Sequence, residues 1–360
     1  MIMIRGKRRF AVAVILLSTT SPPLLGQDQY ILSAQDKWEN TKETDPTTPQ
    51  GQLAVARRTL AEGDFERAEH LASIWIEHNK ADPHIPDAYL IRADALKSQE
   101  SYYEALFDYE FVARGFPGSE AFVAALQREF EIARIFARGK KRKLWGMRIL
   151  DASDEAEELL IRVQERLPGS RLAEQAAMEL ADFYYSRRQM ALAVDMYSIF
   201  IENYPDSRWL TKARVRLIGA HLATFKGPEF DISGLRKARA KLTELQAIEP
   251  ATAREIGAEG IINRIDESNA SKLLQNAQWY WKVNDPIAAE ITIRRLIKKY
   301  PRSQSAIKGI NLMREILPSL PQSIRDQAPD YEAFYKSDKS QMSSEKEESS
   351  KTVLANGEEK

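Results

Sequence analysis

Histidines, cysteines and clustered charges are the side chains with which a protein most often does chemistry, and here their types and spacing argue for binding. The four histidines, His70, His78, His84 and His221, stand in no H-E-x-x-H or comparable ligand spacing. Cysteine is absent, which excludes disulfides, thiol nucleophiles and thiolate metal sites. No phosphate-binding or dinucleotide-binding glycine pattern occurs, nor a G-x-S-x-G nucleophile elbow. Glu155, Glu157 and Glu158 lie at helical spacing beside arginines and read as a solvated face. The sequence therefore predicts no cofactor, no metal site and no enzymatic reaction. Two clusters point to contact with other molecules. Arg138-Gly-Lys-Lys-Arg-Lys143, followed by Leu144-Trp145, reads as a solvated basic loop or as a meeting place for anionic lipid or an acidic partner. Trp279, Tyr280 and Trp281 cannot all point the same way on one helix, so at least one must be exposed or line a groove.

The elements that position these groups show themselves as a repeat. Alanine recurs twelve residues before proline in Ala105/Pro117, Ala156/Pro168, Ala193/Pro205, Ala238/Pro250 and Ala289/Pro301. Four residues after each alanine stands Tyr109, Leu160, Tyr197, Leu242 or Ile293, and seven after it Val112, Val163, Phe200, Leu245 or Leu296. Those offsets mark one helical face, on which a small residue admits a neighbouring helix and larger ones fill the gap beside it. Proline then stops the helix. In Phe116-Pro-Gly-Ser, Leu167-Pro-Gly-Ser, Tyr204-Pro-Asp-Ser and Tyr300-Pro-Arg-Ser, the serine is placed to cap the next helix. An earlier copy runs from Gly63-Asp64-Phe65 through Ala68, Ala72 and Trp75 to Pro83. From Pro83 to Pro117 is 34 residues, the tetratricopeptide length, and the later, longer spacings imply insertions, notably at 139–152 and 226–234. The predicted fold is all-α, a tetratricopeptide-type helical-hairpin solenoid of about six repeat units without strands.

Lys plus Arg and Asp plus Glu each number 52, so no overall field draws the chain to nucleic acid or to an anionic membrane. Four cations in Met1–Arg9 precede the apolar run FAVAVILL and Pro22-Pro23, the order of a secretory signal. Residues 1–26 are thus expected to be a signal peptide. Residues 27–50 read as a polar linker with room for a short helix around Trp38, 51–317 as the repeat domain, 318–335 as a helical or irregular extension, and 336–360 as a Ser/Glu/Lys-rich disordered tail.

The Gly-Asp-Phe-x-x-Ala phrase, the Tyr-Pro-Asp-Ser phrase from Tyr204 to Ala213 and the stretch Ala270–Ala306 resemble the BamD outer-membrane assembly lipoproteins over roughly residues 50–317. That resemblance implies a periplasmic, outer-membrane-associated scaffold that binds envelope proteins, including the β-barrel insertase and its substrates. Gln27 stands where the lipidated cysteine of such proteins would be, so no lipid anchor is expected and any outer-membrane association would be peripheral. The alternative is a generic periplasmic tetratricopeptide adaptor of the cell-envelope or division-coordinator type. In either case the first helix of each pair would face the groove. Counting back from the second-helix alanines places Arg57, Asp94, Lys97, Asp182, Tyr185 and Trp281 there as partner-binding residues.

Overall fold

The recurring alanines are where helices cross. A computed structural model describes residues 30–32, 38–40, 45–144, 147–227 and 231–331; the expected signal peptide, Gln27 and the expected tail lie outside them. The chain divides into two units, residues 1–122 and 123–360. The first contains the pairs α1 (Pro49–Ala61) with α2 (Phe65–His78) and α3 (Ile85–Ser98) with α4 (Tyr102–Gly115). Then come α5 (Glu120–Ala137), nearly all of it in the second unit, and α6 (Ser153–Arg166). They are followed by α7 (Arg171–Ser186) with α8 (Met190–Asn203) and α9 (Leu210–Ala223) with α10 (Ser233–Ile248). After the short α11 (Pro250–Glu255), α12 (Ala258–Lys282) pairs with α13 (Pro286–Lys299), and α14 (Gln304–Ile316) covers that pair. A 3-10 turn, Leu317–Ser319, and α15 (Gln322–Arg325) follow.

The helices follow one another in tetratricopeptide order, and an ion pair between Glu129 and Arg166 links α5 to α6. On the second helices, Ala68, Ala72, Ala105, Ala156, Ala193, Ala238 and Ala289 are all fully buried, and the residues four and seven positions after the five periodic alanines are at most 2% exposed. Such crossings leave no space for a larger side chain. Ala193→Leu should therefore cost about 1–3 kcal/mol by overpacking. The urea midpoint should fall with an unchanged slope, and an unshifted midpoint would mean that the register of the α7–α8 pair is misread.

The turn within a pair repeats as closely as the alanines do. Gly63, Glu100, Gly139, Arg188 and Asn284, each just past a first helix, have φ of 88°, 58°, 91°, 60° and 63°. In each case the next residue's N–H reaches back five positions, as from Asp64 to the Thr59 carbonyl and from Gln189 to the Tyr184 carbonyl. This left-handed closure satisfies carbonyls that the helix end would otherwise leave open. Glycine takes it without strain, whereas Glu100, Arg188 and Asn284, themselves exposed, are held in it by the packed helices that they join.

Three of the four serines cap as their spacing suggests. Ser119, Ser170 and Ser303 accept from the N–H groups of Phe122, Ala173 and Ala306. Ser207 instead closes a turn by accepting from Trp209 N–H, and α9 begins after it at Leu210. The expectation of a strand-free chain needs correction. Tyr30–Leu32 (β1) pairs antiparallel with Trp38–Asn40 (β2), where a short helix was expected, and Arg142–Leu144 (β3) pairs with Met147–Leu150 (β4) inside the basic insertion. Segments of three and four residues are too short for helical nucleation to compete with strand pairing.

Candidate functional site

In the second unit the first helices α7 and α9 frame an open cleft of about 680 Å³. It is lined by Asp182, Tyr185 and Ser186 of α7, Arg188 of the following turn, Met190 opening α8, and Arg216 and Ala223 of α9. Two of the residues expected to meet partners, Asp182 and Tyr185, are thus brought together, and two arginines that the sequence reading missed stand with them.

The cleft wall is built by hydrogen bonding and stacking. Asp182 accepts from the Tyr197 hydroxyl at 2.5 Å and from Lys212 Nζ, which joins α7 to its own second helix and to the next first helix. Burial, and then the bond to Asp182, push the Tyr197 phenol well above its ordinary pKa, so it remains a donor at neutral pH. The Arg216 guanidinium lies 4.7 Å from the Tyr185 ring centre, a cation–π contact that presents a flat cationic surface to the cleft. Gly219 makes this possible, because a Cβ there would come within 2.9 Å of the Tyr185 hydroxyl. An aromatic face, guanidinium groups and a carboxylate already engaged on two sides suit the gripping of an extended chain by stacking and hydrogen bonds. Among the described residues, no group of three or more His, Cys, Asp or Glu side chains is arranged to hold a metal ion.

The other expected partner-binding residues also lie on first helices. In the first unit, Arg57 of α1 is exposed and 3.8 Å from Asp87 of α3. Asp94 of α3 accepts from the Tyr109 hydroxyl at 2.6 Å, the same fifteen-residue pairing that Asp182 makes with Tyr197. Lys97 is half-buried in the last turn of that helix. These two aspartates therefore brace their own repeats, and Asp182 also lines the cleft. In the second unit, Trp281 and Tyr280 pack against the terminal core, while Trp279 is 58% exposed. The missed residues had a faint signal: Lys212 falls thirty residues after Asp182, close to one repeat.

Paired helices with alanine crossings, and first-helix side chains lining an open cleft, define a tetratricopeptide-type repeat protein. Residues 149–327 match the family model YfiO, outer membrane lipoprotein. The match begins within β4 and takes in α6 to α15, whereas the Gly63–Ala68 phrase lies outside it. No curated protein matches the chain. Among solved structures it is similar to the C-terminal part of a TPR repeat-containing protein from Cytophaga hutchinsonii, with 13% identity over 73% of this chain and 87% of that one and a TM-score of 0.36. It is also similar to PilW, a widely conserved type IV pilus biogenesis factor, with 14% identity, 72% and 97% coverage and a TM-score of 0.28.

Proposed function

We propose that this protein is a periplasmic scaffold associated with the outer membrane, which assists β-barrel assembly by holding envelope proteins on the first helices of its repeats. The match of residues 149–327 to an outer membrane lipoprotein family carries this reading, because it covers the helices that frame the Asp182–Tyr185–Arg216 cleft. Binding, not catalysis, is the role that such a surface serves. Arg57, Asp94 and Lys97 act as a first partner surface, Asp182, Tyr185 and Arg216 as a second, and Trp281 supports the terminal pair.

Depletion of the protein, followed by quantitative proteomics of outer membranes, should lower the level of barrel proteins as a class. Unchanged barrel levels would favour an adaptor of general envelope or division type. The cleft has its own test. Tyr185→Ala combined with Arg216→Ala removes a stacked anchor, and such truncations cost about 2 kcal/mol or more, so partner recovery in a crosslinked pull-down should fall roughly thirtyfold. Helicity should be retained, and recovery equal to wild type would remove the cleft from the binding surface.

A further inference from the structure

The insertion between α5 and α6 serves neither the repeat nor the cleft. From Arg138 to Leu150 the chain has six cationic residues, Arg138, Lys140, Lys141, Arg142, Lys143 and Arg148, and no acidic one. The β3–β4 hairpin organises them. Its register sets Arg142 opposite Leu150 and Lys143 opposite Arg148, so two like charges face each other across the ladder. Arg142 is held 2.5 Å from Glu155 of α6, which ties the base of the hairpin to the helical body. Along β4, Met147 and Ile149 alternate with less exposed neighbours and turn outward, 57% and 49% exposed. Trp145, of a residue type favoured at membrane interfaces, follows β3 in sequence.

We propose that this hairpin docks the protein on an anionic lipid bilayer, with its lysines and arginines among the headgroup phosphates and Met147 and Ile149 in the acyl boundary. The combination of groups selects this occupant. An acidic protein surface would meet the cations but leave the two apolar side chains in polar surroundings, whereas the edge of a charged bilayer accommodates both. Strands of three and four residues are far too short to span a bilayer, so the contact of this hairpin is an interfacial one. The inference stands apart from the cleft and does not depend on which proteins the repeats hold.

Vesicle binding tests it, using full-length chains that differ only in the hairpin. The protein should sediment with vesicles of phosphatidylethanolamine and phosphatidylglycerol more strongly than with phosphatidylcholine, and added salt should weaken that binding. Arg138→Gln with Lys141→Gln should weaken it about thirtyfold, from about fivefold for each basic residue near the surface. Met147→Ser with Ile149→Ser should weaken it several-fold, and both variants should keep the wild-type helical spectrum. Because the chain has no cysteine, Met147→Cys allows a single polarity-sensitive fluorophore to be placed at the hairpin. Its emission should shift to the blue on phosphatidylglycerol vesicles. Binding unaffected by either double substitution would overturn the proposal, as would a probe that stays in a water-like environment while the protein sediments.

Discussion

Tyr197→Ala should destabilise the protein by about 3–5 kcal/mol, seen as a fall in the urea midpoint followed by helical circular dichroism. The ring is fully buried, four residues past a fully buried alanine, and neighbours fixed on rigid helices cannot collapse into the space it would leave. Its hydroxyl also supplies one of the two donors that hold the Asp182 carboxylate. The two contributions separate in Tyr197→Phe, which keeps the ring and removes only the donor. That change should cost about 1 kcal/mol, because Lys212 still pairs with the carboxylate. If the two substitutions cost the same, hydrogen bonding and not packing would dominate this position.

A loss of about 3 kcal/mol is expected for Arg294→Ala, from a different cause. Glu290 of α13 is fully buried, an uncommon place for a carboxylate. Its Oε1 accepts from Arg294 Nε at 2.8 Å and from the Tyr331 hydroxyl at 2.5 Å, while Oε2 is buried without a hydrogen-bond partner among the described residues. Tyr331 is itself 5% exposed, so this triad fastens the segment after α15 onto the terminal repeat. Removing the guanidinium leaves a charge in a low-dielectric site with only the phenol to solvate it. The expected value sits at the low end for a broken buried pair because Arg294 is partly exposed and Tyr331 remains. The double variant Glu290→Leu with Arg294→Ala should recover most of the loss, since an apolar side chain can occupy the site without a partner. A double variant no more stable than the single would show that packing around Arg294, and not the stranded carboxylate, sets the cost.

How legible the protein was depended on whether a feature is local. Helix crossings repeat along the chain because each buries a small residue at the same offset from larger ones, so Ala105, Ala193 and Ala289 could be found by spacing alone. The left-handed turns repeat just as regularly, yet only Gly63 and Gly139 announce them in sequence. Glu100, Arg188 and Asn284 adopt the same conformation because the packing of the two helices that each joins outweighs a local preference of about 1 kcal/mol. Placing Asp182 and Tyr185 on the first helix of their repeat followed from periodicity. Joining them to Arg216, Lys212 and Tyr197 did not, because those contacts pass between helices, and at Gly219 the absent Cβ leaves room for the Tyr185 hydroxyl beside α9. The basic insertion shows the same division. Its composition left Arg138–Lys143 open between a solvated basic loop and a contact for anionic partners, and only the pairing of β3 with β4 turned Met147 and Ile149 outward beside those charges. The sequence by itself determined the helical pairs and their crossings, because burial with a period of 3.6 residues is written into every turn. The tertiary structure alone decided which polar groups meet and how the insertions fold, because those outcomes depend on distances between segments that local spacing does not encode.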